Sequence, residues 1–475
     1  MHLVFSSAIF LFFFLPVVFL SYRLVPSRIG KNLLLAASSV VFYAFGQMNY
    51  VPLFLGSVLI NYLSGLALMG KSRRRRLVLT LSVILNIGIL CAFKYTDFAI
   101  RNVNAVFSFS LPTTGIELPI GISFFTFQGL SYTIDVYRDR KSGTTDFLKL
   151  LLYISFFPQL IAGPIVKYHD IADQIDNRSC TAEETSAGLR RFITGLAKKI
   201  LIANAVGYIA DCVFNDHLPG GLTDWRLMWL GAICYTLQIY YDFSGYSDMA
   251  IGIGHLFGFT FRENFRYPYG AVSIKDFWRK WHISLSSWFK EYLYIPLGGN
   301  RKGKLRTVAN KMIVFFCTGI WHGANWTFVL WGFGHGLLSS LEDLGIIPTK
   351  KLAASRPGRV ISRLYTLLAV TLLFVIFRAD SISQAFKMIA LMFGGSASSY
   401  GTYLCRSLLT PAACAVLILA VLFAGNLPSR LKEAVGERES TAGQIFVDLF
   451  FLVIYVLCLM SLARGGFNPF IYFQF

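Results

Sequence analysis

The sequence is poor in charged residues, and in acidic residues above all. Only 15% of its 475 residues are charged, with 25 acids against 44 Lys and Arg, whereas 55% are hydrophobic and 16% are aromatic. Soluble domains carry about 25% charged residues, so this composition excludes a set of soluble domains. It is typical of a polytopic membrane protein. The long apolar runs lack the alternation of barrel strands, so we expect an all-α fold.

Motifs of several enzyme classes are also missing. The eight cysteines are scattered, with no CxxC pair and no Cys/His ligand spacing, so we predict neither disulfides nor a metal site. Gly252, Gly254 and Gly258 do not form GxGxxG and follow no strand, which excludes a dinucleotide-binding motif. The N-terminus has no basic region and no small-residue cleavage site. We therefore expect a retained first helix there rather than a signal peptide.

The net charge of +19 comes from short clusters of cations between apolar runs. This placement is typical of cytoplasmic loops of membrane proteins, so we expect no nucleic-acid partner. The clusters also suit anionic membrane lipid. Those at 22–31 and 70–76 place these loops in the cytosol and the N-terminus outside. At about 20 residues each, the apolar runs predict roughly eleven or twelve spans.

Two further segments are predicted to be broken or partly re-entrant helices. They cover 118–138 and 151–170, and prolines and glycines interrupt both. The breaking residues are Pro119, Gly121 and Gly129 in the first segment, and Pro158, Gly163 and Pro164 in the second. A membrane tolerates such a break only where protein encloses it or where it lines a cavity.

Two carboxylates interrupt the apolar run YDFSGYSDMAIGIGHLFGF. Asp242 and Asp248 lie at membrane depth, where an acid has a functional or a buried hydrogen-bonding role by default. Ser244, Tyr246 and Ser247 are adjacent hydrogen-bond partners, which favours a structural role. Asp242 is also a candidate for contact with a substrate.

The strongest chemical signal lies between residues 275 and 335. A basic, Trp-rich segment carries His282, and an apolar run carries His322 inside WHGANW. An imidazole in such surroundings is costly unless it has a function or a partner, and a neutral imidazole is a suitable base near neutral pH. The alternative is that both are structural histidines that bond to the backbone.

The cationic segment 275–306 is expected to face the cytosol. Its tryptophans at 278, 281 and 288, with Leu285, fit an amphipathic helix that lies at the membrane interface. Arg279 and Lys280 are candidates for binding the phosphates of an acyl donor. The alternative is that these cations only set the topology.

The chain resembles the membrane-bound O-acyltransferase (MBOAT) family. The motifs that carry the resemblance are QIYYDFSGYSDMAIGIGHLFGF, FRYPY, DFWRKWHISLSSWFKEYLYIPLGGNR and GIWHGANWTFVLWGFGHG. LPIGISFFTFQGLSYTIDVYR and FFPQLIAGPI are similar to the bacterial branch that acts on alginate and peptidoglycan. The resemblance runs from about residue 3 to the terminus and is specific over 115–170 and 235–340.

The resemblance implies one domain over 1–475, a helical shell around a central funnel, with a catalytic core at about 115–340. It implies that His322 deprotonates an acceptor hydroxyl and that His282 is the second histidine of the site. Acyl transfer from a thioester to an alcohol needs such a base, and donors for the oxyanion. Asn325 and Trp indole N–H groups are candidates for the donors. Cys317 has no visible activating partner, which argues against a thiol nucleophile.

The implied function is that of an O-acetyltransferase in the bacterial cytoplasmic (inner) membrane. It moves an acetyl group from a cytosolic donor, expected to be acetyl-CoA, toward a cell-surface polysaccharide. We expect an extracytoplasmic SGNH-hydrolase-like acetyltransferase as partner, and no permanently bound cofactor. D-Alanyl transfer to teichoic acid is the alternative within the family. A transporter is the alternative of another class, because broken helices and intramembrane carboxylates occur there too.

The chain ends in the aromatic tail 465–475, GGFNPFIYFQF, which the distribution of cations places outside. The tail resembles a C-terminal motif of the bacterial branch in which a tyrosine is implicated in acyl relay. Tyr472 is its one phenol. A phenol has a pKa of about 10, so its ester is more activated than an alkyl ester. The alternative is an aromatic anchor at the interface.

Overall fold

A computed structural model describes residues 3–71, 73–215, 223–425, 427 and 441–465. These residues are largely helical and contain no strand, which confirms the all-α prediction. All eight cysteines are free thiols, in agreement with the predicted lack of disulfides.

The chain divides into two compact units. The first unit comprises Met1–Phe192 and Tyr246–Glu263, and the second comprises Ile193–Gly245 and Asn264–Phe475. The single domain that the sequence predicted over 1–475 is not tested by this division and stays a prediction.

The helices in the first part of the chain are Phe10–Phe14 (a π-helical turn) with Leu15–Leu24, Arg28–Gln47, Val51–Met69, Arg75–Lys94, Thr96–Phe107, Ile122–Arg138, Phe147–Ser155, Phe157–Leu160, Tyr168–Asp176 and Ala182–Ala197. The later helices are Lys198–Ala203 (π-helical), Asn204–Phe214, Trp225–Leu256, Ile274–Lys280, Ile283–Phe289, Lys290–Tyr294 (π-helical), Lys304–His322, Trp326–Leu344, Thr349–Leu352, Arg356–Arg378, Ile382–Gly394, Ser399–Leu408, Pro411–Ala424 and Thr441–Ala463.

Five helical stretches in the described part of the chain are long and apolar enough to cross a membrane. They are Arg28–Met69, Arg75–Lys94, Ala182–Phe214, Arg356–Arg378 and Gly443–Ala463. The bent pair Ser399–Leu408 and Pro411–Ala424 makes up to six. Eleven or twelve spans were predicted from the apolar runs. Several of those runs form helices that are shorter, broken or less apolar, so they fall outside this count, which rests on length and composition.

The two predicted breaks in the first unit have different outcomes. The segment 151–170 is broken as expected: one helix ends at Ser155, a single turn covers Phe157–Leu160, and Gly163 then has a φ of +103°. The segment 118–138 is interrupted only at its start, where Gly121 has a φ of +77°; a break at Gly129 was wrong, because Ile122–Arg138 is one continuous helix. Gly129 lies within it where a Cβ would come 2.3 Å from Asn61 Nδ2, so this glycine serves close helix packing rather than a bend.

A tight helical hairpin dominates the second unit. Helices Lys304–His322 and Trp326–Leu344 run antiparallel, joined by three residues. Glycine permits their close approach at two points. A Cβ on Gly319 would lie 2.4 Å from the Phe328 carbonyl oxygen, and one on Gly332 would lie 2.3 Å from the Phe315 carbonyl oxygen. The hairpin therefore depends on residues that lack a side chain.

The Trp-rich segment does not form the one continuous helix that its apolar spacing predicted; its location at the membrane interface stays a prediction. The chain forms two short helices instead, Ile274–Lys280 and Ile283–Phe289, separated at Trp281 and His282. His282 has a φ of +43°, which lies in the left-handed region that residues other than glycine rarely adopt. This conformation interrupts the helix between the two short segments. Trp281, Leu285 and Trp288 are buried in protein, so the apolar face of this segment packs inward.

We expect Gly332→Ala to destabilise the protein by about 1–3 kcal/mol, because the added methyl group overlaps the Phe315 backbone, which cannot yield as a flexible side chain would. Thermal unfolding in detergent measures the loss. Gly88→Ala is the matched control, since nothing lies within 4 Å of the position that its Cβ would take and alanine favours helix. Equal unfolding temperatures for the two variants would contradict close packing of the hairpin.

Candidate active site

His322 is the last residue of the first hairpin helix and is 6% exposed. Three aromatic rings surround its imidazole. The ring centroids lie 5.0 Å from Trp321, 5.2 Å from Trp331 and 5.2 Å from Phe377, and all three are close to edge-on. Trp331 comes from the second hairpin helix and Phe377 from Arg356–Arg378, so three helical segments enclose one imidazole.

A small cavity of about 10 Å³ opens beside this imidazole. This volume is close to the space that one water molecule requires. The cavity wall is mainly apolar, and His322 and the two tryptophans carry its side-chain hydrogen-bonding groups. The lining residues are Ile239, Phe243, Trp281, His322, Trp331, Phe374 and Phe377.

His282 is completely buried, and a polar group holds one side of its ring. Its Nδ1 lies 3.3 Å from Asn264 Oδ1 and 3.4 Å from Ser284 Oγ. Asn264 Oδ1 also accepts hydrogen bonds from Ser284 N at 3.2 Å and from Ser284 Oγ at 2.9 Å. Because a carbonyl oxygen only accepts, this arrangement assigns the proton to Nδ1 and leaves the lone pair on Nε2.

Two aromatic side chains connect the histidines. The Phe243 ring lies 4.6 Å from His282 and also lines the cavity beside His322. The Trp321 ring lies 6.0 Å from His282 and 5.0 Å from His322. Both histidines thus belong to one aromatic cluster, with His322 in the cavity wall and His282 behind it.

Asp242 forms a buried ion pair with Lys199. The distance from Lys199 Nζ to Asp242 Oδ1 is 2.6 Å, and the two side chains are 4% and 2% exposed. Ser244 and its neighbours had been expected as the partners of this carboxylate. Lys199 was missed because it lies in another helix, in the π-helical turn Lys198–Ala203. The sequence signal that could have identified Lys199 as the partner of a buried acid was its position inside an apolar stretch.

The ion pair adjoins the cavity wall. Ile239 and Phe243, which line the cavity, are the third residue before Asp242 and the residue after it on one helix. Gly245 lets this helix approach its neighbour, since a Cβ there would lie 2.8 Å from the Gly195 carbonyl oxygen. In the first unit, Asp248 forms a separate ion pair with Arg191, and the distance from Arg191 Nη2 to Asp248 Oδ1 is 2.6 Å.

Asn325 caps a helix. Its Oδ1 accepts from the Thr327 backbone N–H at 3.1 Å, and its Nδ2 donates to the Asp380 carbonyl oxygen at 3.0 Å. Both ends of this amide therefore have structural partners, and we do not assign it to an oxyanion.

The two candidate cations for the donor have different surroundings. Arg279 is exposed, whereas Lys280 Nζ donates to Asp276 Oδ2 at 2.8 Å, one helical turn away. Arg279 is therefore the more available to an anionic ligand. Tyr472 and the other tail residues after Gly465 lie outside the described residues.

Two residues of the aromatic cluster had not been named individually as site residues from the sequence. Trp331 lines the cavity, and His335 lies one turn further along the same helix, fully buried. The indole N–H of Trp278 donates to His335 Nδ1 at 3.2 Å. The sequence shows that Trp331 and His335 are four residues apart and therefore lie on the same face of a helix. It does not show that this face points toward His322.

The fold and site define a polytopic membrane protein that holds an imidazole in an aromatic cavity, an arrangement suited to proton transfer away from bulk water. The model of the MBOAT, membrane-bound O-acyltransferase family matches residues 75–360, and the chain belongs to this family. It is an O-acyltransferase.

Similar proteins cover all or part of the chain. A protein of Pseudomonas putida named a probable alginate O-acetylase, AlgI, is 39% identical over 100% of both chains. The peptidoglycan O-acetyltransferase of Helicobacter pylori is 38% identical over 82% of this chain and 80% of its own length. The teichoic acid D-alanyltransferase of Bacillus subtilis is 29% identical over 46% of this chain and 57% of its own.

We expect Asp242→Asn to destabilise the protein by about 3–5 kcal/mol, because it leaves the Lys199 ammonium buried beside a neutral amide. The double variant Lys199→Met/Asp242→Asn removes both charges and should recover much of the loss. Thermal unfolding in detergent measures both. If the double variant is no more stable than the single one, the two side chains do not form a coupled pair.

Proposed function

We propose that this protein moves an acetyl group from cytosolic acetyl-CoA across the bacterial cytoplasmic membrane for O-acetylation of a cell-surface polysaccharide. The observation that carries the proposal is the buried His322 in its aromatic cavity, within a chain of the acyltransferase family. Relatives that align with 100% and 82% of the chain support the acetyl group and the polysaccharide, since their names specify alginate or peptidoglycan O-acetylation. The teichoic acid D-alanyltransferase of Bacillus subtilis aligns with only 46% of the chain.

His322 is the general base of the proposed reaction. Its imidazole takes the proton of an acceptor hydroxyl as the oxygen attacks the thioester carbonyl carbon, and it returns a proton to the departing thiolate. The apolar cavity wall supports this role, because burial among aromatic rings favours a neutral imidazole. A general base contributes typically 10²–10⁴ in rate.

His282 orients the site from behind the cavity wall. Its Nδ1 is held by Asn264 and Ser284, and its ring packs edge-on against Phe243. This contact supports a role in which His282 fixes the position of the ring that lines the cavity. Its loss should be less severe than the loss of the base itself.

The cations of the Trp-rich segment attract the donor. Arg279 is exposed on helix Ile274–Lys280, whose start is held by Glu342, which accepts from Ile274 N at 2.7 Å and from Lys275 N at 3.2 Å. A guanidinium binds phosphate oxygens through a fork of donors, which suits the phosphates of acetyl-CoA. The donor is a substrate, and no bound cofactor enters the proposal.

An extracytoplasmic SGNH-hydrolase-like acetyltransferase completes the proposed system by placing the acetyl group on the glycan. Within this scheme Tyr472 carries the acetyl group between the two proteins. The chemistry of a phenyl ester supports such a relay, since a phenolate is a better leaving group than an alkoxide.

We expect His322→Ala to lower acetyl transfer by at least about 10²-fold while the protein still accumulates in the membrane. His282→Ala should lower transfer less. The measurement uses purified protein, acetyl-CoA labelled in the acetyl group, and the label found on acceptor. Retention of most activity in His322→Ala would remove it as the base, and ion flux without label transfer would favour a transporter.

We expect Tyr472→Phe to abolish glycan acetylation in cells at an unchanged membrane level of the protein. This substitution keeps the ring and removes the hydroxyl, so an aromatic anchor would still function. Tyr455→Phe is the control, because it removes a phenol from helix Thr441–Ala463 instead. Wild-type acetylation in Tyr472→Phe would refute the relay and leave the His322 assignment intact.

A further inference from the structure

The indole N–H of Trp331 is buried and lacks a hydrogen-bond partner among the described residues. Trp331 is 1% exposed, and its ring lines the cavity beside His322. A buried donor without a partner costs about 1–3 kcal/mol, so such a group in a native protein needs an explanation.

Other tryptophans of the second unit do have partners. Trp278 Nε1 donates to His335 Nδ1 at 3.2 Å, and Trp229 Nε1 donates to the Met392 carbonyl oxygen at 2.8 Å. His335 therefore uses its acceptor on Trp278, although the Trp331 ring lies only 4.9 Å from it. The aromatic cluster therefore satisfies the indole N–H of Trp278 and leaves that of Trp331 for another acceptor.

We propose that the Trp331 indole N–H binds the carbonyl oxygen of the acyl donor and stabilises the oxyanion during transfer. This inference rests on the proposed acyltransfer at His322. The Trp331 and His322 rings are perpendicular, with centroids 5.2 Å apart, and both line the same cavity. Trp281 also lines the cavity, but its ring packs on Phe277 and Phe374 instead.

The cavity has room for about one oxygen atom of the group to be bound. Its volume of about 10 Å³ accommodates one oxygen atom with its hydrogen bonds, but not a whole acetyl thioester. The aromatic wall must therefore move when the donor enters, and the carbonyl oxygen then takes the place between the indole N–H and the imidazole. Because most of the other lining side chains are apolar, a hydrogen bond there is stronger than in water.

The chemical step balances with these two side chains. His322 accepts the proton of the acceptor hydroxyl, the new C–O bond forms, and the carbonyl π electrons move onto oxygen, where the Trp331 N–H holds the negative charge. The C=O bond then reforms, the C–S bond breaks, and the thiolate takes the proton from His322. The products are an ester and a free thiol, and the enzyme is regenerated.

The test replaces Trp331 by benzothienylalanine, which keeps the ring shape and has sulfur in place of N–H. Loss of one oxyanion donor should lower kcat by about 10²–10³-fold, with a small change in the KM for acetyl-CoA and an unchanged unfolding temperature. The same replacement at Trp326, which is 52% exposed, is the control and should leave kcat unchanged. An unchanged kcat at Trp331 would overturn the proposal.

A second measurement decides the case in which the substituted protein does not fold. The indole N–H resonance of Trp331 in the otherwise native protein should shift when an acetyl-CoA analogue with a methylene between sulfur and carbonyl binds. Binding of the analogue without this shift would overturn the proposal. Failure of the native enzyme to transfer acetyl groups would instead contradict the proposed function.

Discussion

The candidate site depends on the close packing of two helices in the second unit. Gly319 and Gly332 have no side chain, so the backbones of helices Lys304–His322 and Trp326–Leu344 come into direct contact at these two positions. This contact puts Trp331 perpendicular to His322 and brings both into one cavity wall. Burial among aromatic rings disfavours the charged form of an imidazole, because that form would lose its hydration. Packing thus provides the electrostatic condition for a base.

The second constraint is the buried charge pair. Lys199 and Asp242 lie within an apolar core, where a buried pair is weak evidence for stability but specifies one arrangement of two helices. Asp242 is flanked by Ile239 and Phe243 of the cavity wall, and Phe243 also contacts His282. The pair therefore fixes the helix that forms the wall between the two histidines. The π-helical turn at Lys198–Ala203 aligns Lys199 with this helix.

The sequence predicted the fold class and the family, because composition and contiguous motifs carry them. It did not predict the partner of Asp242, since pairing across helices depends on tertiary register. It gave no sign that His282 would adopt a φ of +43° and split the Trp-rich segment, because the apolar spacing of that segment also fits one helix. Asn325 lies in the most distinctive motif, yet its amide caps a helix. The direction of the Trp331 N–H depends on packing that no motif records.

The most direct measurement is a structure of the protein in lipid nanodiscs with the acetyl-CoA analogue in which a methylene separates sulfur from carbonyl. If His322 and its cavity are the transfer site, the carbonyl oxygen of the bound analogue will lie about 3 Å from Trp331 Nε1, and its carbonyl carbon will face His322. An analogue bound at saturation with its carbonyl group outside this cavity would contradict the account.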